Sequence, residues 1–229
     1  MLHVSSVAVY GPATRYSDDG AKTDERAGLR PIPRSAYYAR SKRESEELVL
    51  SAHARGELWA TAIRPSVVYG RRDRQFVPRI ARLLSVGFAP VVGGGRAILS
   101  LVHAANVADG AVRAVATGEA GGQPYILAND FPLSVADFYR LAATGMRRRI
   151  RLVPVPMTVA RTALLIIRAV GPIVAGSRMN VVSGSSSLDF ITRDNPFSSE
   201  RARRELGWRP EVTPQEGVPD AFHWWAAHR

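Results

Sequence analysis

The sequence predicts an α/β fold built on a parallel sheet. Three stretches carry that prediction. Residues 2–10 (LHVSSVAVY) are apolar and rich in β-branched side chains, and they close on Gly11-Pro12, the pattern of a buried strand. Residues 35–50 (SAYYARSKRESEELVL) are good helix formers, with Ser35 placed to cap them. Residues 59–69 (WATAIRPSVVY) form a second apolar run that stops at Gly70, and Pro65 within it marks a strand end or a bend. Strand, helix and strand in that order make a βαβ unit.

The remaining elements follow in chain order. Residues 12–34 are polar, with glycine, proline and mixed charge, and read as a long loop. Residues 76–86 have helical spacing, and Gly93-Gly94-Gly95 reads as a turn, since its spacing does not suit a phosphate loop. A short strand is expected over 99–103, a helix over 106–117 and a strand over 124–128. Residues 131–148 read as a turn and a helix, with Ser134 as N-cap and Asp137 in the first turn. The run 153–156 (VPVP) leads into a very apolar segment, 157–175, broken by Arg161 and Arg168. Those charges make it a poor membrane span and suit a buried helix or one lying on a membrane surface. A short helix over 201–208 ends at Gly207, and a terminal helix over 218–229 carries Trp224 and Trp225 as core or interface residues.

Composition narrows the function classes. The 229 residues, 46% hydrophobic, suffice for one domain with a sizeable core or one domain and a small cap. There is no cysteine, which excludes disulfides and thiolate chemistry. No metal site is expected. The N-terminal residues lack the basic lead, long apolar core and cleavage site of a signal peptide. The net charge of +11 raises nucleic acid or an anionic membrane as partners. The arginines, however, are spread along the chain, with one tight cluster at Arg147-Arg148-Arg149 and Arg151, and no zinc-finger spacing appears. Nucleic-acid binding is therefore not expected.

The chemistry centres on Tyr38 and Lys42. Four residues apart on a helix, they share one face. A cation beside a phenol favours the phenolate, and a tyrosine so tuned exchanges protons with an alcohol or a carbonyl. The plainer alternative is an amphipathic helix with one buried ring and one solvated ammonium. Only Lys22 and Lys42 are lysines among the 31 basic residues. A lysine kept in an arginine-rich chain suggests a role that arginine does not fill.

Five segments, in order, resemble one family. They are Ser5 to Gly11 (SSVAVYG), Tyr38 to Lys42 (YARSK) with Glu46, Arg64 to Gly70 (RPSVVYG), Leu101 to Ala108 (LVHAANVA), and Arg201 to Pro210 (RARRELGWRP) with Glu216-Gly217. The chain resembles an extended short-chain dehydrogenase/reductase of the NAD-dependent epimerase/dehydratase group. The resemblance implies the C-terminal part of a Rossmann-type parallel sheet with a small, mostly helical substrate-binding cap. The core is expected over 1–70 and 98–128, and the cap over 71–97 and 129–229. It also implies roles. Ser6 is expected to hold the substrate oxygen, Tyr38 to act as general acid/base, and Lys42 to bind the nicotinamide ribose. Pro65, Ser66, Val67 and Val68 match the loop that passes the nicotinamide. Val7, Ala8, Arg72, Arg96 and His103 are substrate-side candidates, although a satisfied buried histidine is the plainer reading of His103. The cofactor implied is NAD or NADP.

The family pattern opens with a strand, a G-x-x-G-x-x-G turn and a helix that hold the pyrophosphate, and this sequence has no such turn. Its first strand resembles the family's fifth, so the first strands of the pattern are expected to be absent, leaving an unpaired edge. On that expectation the chain alone holds NAD(P) weakly or not at all and tends to aggregate or associate. The proline-rich entry and apolar segment from 153 to 175 resemble the 3β-hydroxysteroid-dehydrogenase-like branch, which implies an apolar alcohol or ketone. The arginines, Arg178 among them, keep a nucleotide-sugar substrate as the alternative, and a non-catalytic remnant or binding module is a third reading. Partners expected are a small-molecule substrate, with a peripheral membrane contact and a homodimer through the Tyr38 helix as further options. Placement is expected to be cytoplasmic, with membrane association the alternative.

Overall fold

A computed structural model describes residues 1–11, 22–128, 131–163 and 190–228. The chain divides into two compact units. The first comprises Met1–Gly70, Ser100–Phe131 and Pro196–Gly217, and the second Arg71–Leu99, Pro132–Asn195 and Val218–Arg229.

The first unit is a parallel α/β assembly. Its strands β1 (Leu2–Val4), β2 (Thr61–Pro65) and β6 (Pro124–Leu127) pair in the order β1-β2-β6, all parallel. The register sets His3 beside Ala62 and Ile63 beside Tyr125. A second parallel pair joins β3 (Val67–Tyr69) to β5 (Leu101–His103). The expected run 59–69 is thus two strands, because the chain changes partner after Pro65. Helix α1 (Tyr37–Ala54) makes the crossover between β1 and β2, and α3 (Ala104–Ala116) connects β5 to β6. Ile63, Val102, Ala114, Tyr125 and Leu127 form one buried cluster with Ala202, Leu206 and Trp208. The stretch around Trp208, expected in the cap, therefore packs in the first unit. Asn106 ties it down: its side chain donates to Val212 O at 2.9 Å and accepts from Val212 N at 3.0 Å, while Trp208 Nε1 donates to Asn106 O at 2.9 Å.

Two expectations at the start of the chain are corrected. The run 2–10 is not one strand, since only Leu2–Val4 pairs as a strand and Val7–Tyr10 coils into a 3₁₀ turn. Ser6 starts that turn by accepting from Ala8 N at 3.2 Å, which lets Val7, Val9 and Tyr10 pack with Ile126, Ala128 and Phe197. Ser35 does not cap α1. Ala36 donates to Pro33 O at 2.9 Å, which holds Ser35 inside a turn, and the cap position falls on Ala36 without a side-chain bond.

The second unit contains α2 (Phe76–Leu84), β4 (Phe88–Val92), α4 (Val135–Gly145) and β7 (Arg151–Val155). Asp73 starts α2, accepting from Gln75 N at 2.7 Å and Val77 N at 2.9 Å. Ser134 starts α4 as expected, accepting from Asp137 N at 3.0 Å. Strands β4 and β7 pair in parallel and were not expected as strands. Helix α5 (Glu200–Leu206) belongs to the first unit and ends at Gly207, whose φ of 61° suits glycine. Helix α6 (Pro214–Ala227) contributes Val218, Ala221 and Phe222 to the core of the second, where Phe222 meets Phe138 edge-on. Gly145 faces Pro219 so closely that an added Cβ would lie 2.8 Å from Pro219 Cα. Of the apolar segment 157–175, residues 157–163 are helical and the remainder lies outside the described residues, as does Arg178. Among the described residues no helix is long and apolar enough to cross a membrane.

Candidate active site

Helix α1 presents one stripe to the sheet. Tyr38, Lys42 and Glu46 recur every four residues, so they lie in a row along the helix. Each of the last two grips a different strand. Lys42 Nζ donates to Val4 O of β1 at 2.7 Å, and the Glu46 carboxylate meets Arg64 of β2. Between them, Ser45 Oγ lies 3.2 Å from Nε2 of His3. Lower numbers on α1 thus match higher numbers on β1, so the helix runs opposite to the strands. Tyr38 stands one turn, about 6 Å, beyond Lys42 in the direction of the strands' carboxyl ends. Its ring centroid is 5.9 Å from Lys42 Nζ, and the residue is 60% exposed. The buried ring of the plainer alternative is not what this helix has.

A buried charge network fixes the base of the stripe. Arg64 Nε donates to both oxygens of Glu46 at 3.1 Å, with Nη2 on Oε1 as well. Arg64 Nη1 donates to the Tyr10 hydroxyl at 2.7 Å, and the guanidinium carbon lies 5.0 Å from the Tyr10 ring centroid. Both side chains of the ion pair are only 6% exposed. Burial works against the Arg64 charge, but the bonds and charges of Glu46 and Tyr10 outweigh it and raise its pKa. Burial drives the Tyr10 phenol upward, against the pull of Arg64. Burial, helped by the Lys42 ammonium and opposed by Glu46, holds the His3 imidazole below its ordinary range. Arg43 adds a clamp, donating to Val9 O at 3.0 Å and to Arg30 O at 2.7 Å.

The other candidates fall as follows. Ser6 follows β1, Val7 is buried and Ala8 half-buried in the 3₁₀ turn. Pro65 closes β2, Val67 is half-buried and Val68 exposed. The buried hydroxyls of Ser5 and Ser66, at the carboxyl ends of neighbouring strands, have no hydrogen-bond partner among the described residues. His103 is half-buried; its Nδ1 accepts from Ala105 N at 3.3 Å and its ring meets Tyr69 edge-on at 5.3 Å. Arg72 and Arg96 belong to the second unit and are exposed, and Arg72 has a φ of 65°. Ser6, Tyr38, Lys42, Ser66 and His103 all belong to the first. Sequence reasoning missed the roles of His3, Arg64 and Tyr10. Tyr10, Arg64 and Glu46 stood in segments that carry the family resemblance, but nothing in the sequence joined them, and nothing marked His3.

Parallel strands joined by crossover helices make the first unit a Rossmann-type α/β assembly. The profile of the NAD dependent epimerase/dehydratase family matches residues 1–128, and the chain belongs to that family. It is 27% identical over 224 residues to the 4-hydroxy-2-methyl-3-oxo-4-farnesyl-3,4-dihydroquinoline-1-oxide ketoreductase of Stigmatella aurantiaca, covering 95% of this chain and 63% of that protein. It is 28% identical over 201 residues to the 3beta-hydroxysteroid-dehydrogenase/decarboxylase isoform 2 of Arabidopsis thaliana, covering 82% of this chain and 35% of that one. The solved structure of RMD from Pseudomonas aeruginosa complexed with NADPH superposes with a TM-score of 0.66 at 18% identity, over 99% of this chain and 66% of that chain. That likeness shows the fold. The chain spans less than two thirds of the length of each of these proteins.

Proposed function

We propose that this chain carries the proton-transfer site of an NAD(P)-dependent oxidoreductase that interconverts an apolar ketone and its alcohol. The observation that carries the reading is the Lys42 anchor, with Nζ held 2.7 Å from Val4 O and 5.9 Å from the Tyr38 ring. When bound, the nicotinamide supplies the hydride. Tyr38 gives its hydroxyl proton to the carbonyl oxygen in reduction and takes it back in oxidation. The Ser6 hydroxyl already accepts from Ala8 N, so its own O–H is left to donate to the substrate oxygen. Lys42 spends one of its three donors on Val4 and keeps two for ribose hydroxyls. The unpartnered Ser66 hydroxyl, with Pro65, Val67 and Val68 around it, fits a loop that borders the nicotinamide. These residues suit the nicotinamide end of the cofactor. For the diphosphate end the sequence holds no G-x-x-G-x-x-G turn.

The apolar substrate is supported by the likeness to a ketoreductase of a farnesylated quinoline and to a hydroxysteroid dehydrogenase. The exposed Arg72 and Arg96 favour the second reading, a nucleotide sugar. The test, on the chain joined to a family segment that carries the G-x-x-G-x-x-G turn, is NADPH or NADH consumption with prenylated and steroidal ketones, set against epimer or dehydration product formed from UDP-sugars with NAD, which changes no net cofactor. Turnover of the apolar ketones, lowered roughly 10²- to 10⁴-fold by Tyr38→Phe, is the expected result. Turnover of UDP-sugars alone would transfer the assignment to the second reading. No turnover of any substrate would leave a non-catalytic binding module.

A further inference from the structure

The second unit carries a surface on which arginines and exposed apolar side chains alternate. In the parallel pair β4–β7, Phe88 stands beside Arg151 and Pro90 beside Val153. All four are exposed, whereas Ala89 and Val91 between them are buried. One face of this two-stranded sheet is therefore core, and the other is open among the described residues. Val86, at the tip of the turn leading into β4, is 61% exposed, and Phe88 is 54% exposed. Hydrogen bonds bring the arginines to the same place. Arg148 Nη1 donates to Ser85 O at 3.0 Å, and Arg151 N donates to Gly87 O at 2.9 Å, so the two bracket Val86. Arg79 and Leu83, one helical turn apart on α2, are both exposed and lead towards that tip.

The charge on these segments has one sign. From 76 to 92 and from 141 to 163 the sequence contains seven arginines (Arg79, Arg82, Arg147, Arg148, Arg149, Arg151 and Arg161) and no Asp or Glu. Several surface arginines elsewhere in the chain find carboxylates. Arg71 meets Asp220, Arg113 meets Asp109 and Arg140 meets Asp137. Here the cations stand beside valine, leucine and phenylalanine instead. A nucleic-acid surface needs the cations and gains little from exposed aliphatic side chains. An anionic bilayer uses both, because its headgroup phosphates take the guanidiniums while short apolar knobs enter the acyl boundary.

We propose that this face, with Val86, Phe88 and Val153 at its centre and Arg148, Arg149 and Arg151 at its rim, docks on an anionic phospholipid bilayer. The membrane is then met by a folded edge of the second unit and not by a spanning helix.

The test is co-sedimentation of the 229-residue protein with phosphatidylcholine vesicles, with and without about 30% phosphatidylserine, at low and high salt. Binding is expected only to the anionic vesicles and is expected to weaken with salt. Arg148→Ala, Arg149→Ala and Arg151→Ala together should lower partitioning roughly a hundredfold, at about fivefold for each basic residue near the surface. Val86→Ser with Phe88→Ser should lower it about as far while leaving the charge intact. Every changed side chain except Arg148 is exposed without a bond, so the valine and phenylalanine variant should keep the wild-type melting temperature and the arginine variant should lose only the Arg148–Ser85 bond, and a cooperative melt of each confirms its folding. Failure of the wild-type protein to bind anionic vesicles overturns the proposal. Binding that survives both variants also overturns it, since the contact then lies elsewhere, as in the apolar segment after residue 156. Binding that needs the arginines but ignores Val86 and Phe88, and that duplex DNA abolishes, would identify a polyanion site and overturn it as well.

Discussion

Glu46→Gln would leave the Arg64 guanidinium buried beside a neutral amide. Removing one partner of a buried ion pair typically costs about 3–5 kcal/mol, because the remaining charge stays out of water. The variant should therefore unfold at a clearly lower urea concentration than the wild type, with an unchanged slope. Replacing both residues by methionine should recover much of the loss, since it removes the buried charge as well as its partner. An unfolding midpoint equal to wild type for Glu46→Gln would mean that the pair does not hold α1 to β2. The contrast with Tyr38 and Lys42 shows what a sequence carries. Those two lie four residues apart on one helix, so their proximity is a local fact that spacing reveals. Glu46 and Arg64 are 18 residues apart and meet only because the helix crosses over the strand. The same is true of Lys42 and Val4, 38 residues apart. The groups proposed to react were readable, and their supports were not.

The long loop before α1 is held to the sheet by a carboxylate. Glu25 Oε1 accepts from Ile126 N on β6 at 2.7 Å, and Thr23 forms a bridge with Phe197 beside it. Burial raises the Glu25 pKa above its ordinary 4.5, although the bond from Ile126 and the nearby arginines pull the other way. A raised folded pKa means that the folded state holds the proton more tightly than the unfolded chain. The resulting stability is full at low pH and is lost as pH rises through the folded value. Between about pH 4 and about pH 7 the wild type should therefore lose stability relative to Glu25→Gln, which keeps an acceptor for Ile126 and does not ionise. Urea midpoints of both proteins at the two pH values check this, and a constant gap would mean that Glu25 is as well solvated folded as unfolded. Sequence reading left this segment as loop, because no periodicity marks a tether made by one side chain. It erred in a related way on β4 and β7. Pro90 and Pro154 argue against central strands, yet a two-stranded sheet leaves each strand an open edge where a proline costs nothing. Helices fared better, since Ser134 and Gly207 mark α4 and α5 by capping chemistry that acts within a few residues.

The sheet of the first unit has two outer edges, and they are closed differently. On β6, the Ile126 and Ala128 amides donate to the side chains of Glu25 and Ser199, at 2.7 and 2.9 Å. On β1, Thr61 N reaches Met1 O and Ser5 N reaches Ile63 O, so the alternation turns Leu2 and Val4 to the opposite edge. There Lys42 occupies the Val4 carbonyl, and among the described residues the Val4 amide has no partner. Met1 and Val4 are exposed beside it. An open strand edge with apolar neighbours and no charge of its own invites another strand. The net charge of +11 opposes that contact by repulsion between copies. The two effects separate with salt, because the Debye length falls from about 10 Å at about 0.1 M to about 3 Å at about 1 M. Sedimentation velocity should therefore show association that grows with protein concentration at high salt and fades at low salt. Val4→Glu should suppress it by placing a charge on the edge. That substitution also lowers the overall positive charge, which by repulsion alone would promote association, so suppression would locate the contact at β1. A wild-type protein that stays monomeric at high salt would show that the single Lys42 bond is enough to close the edge.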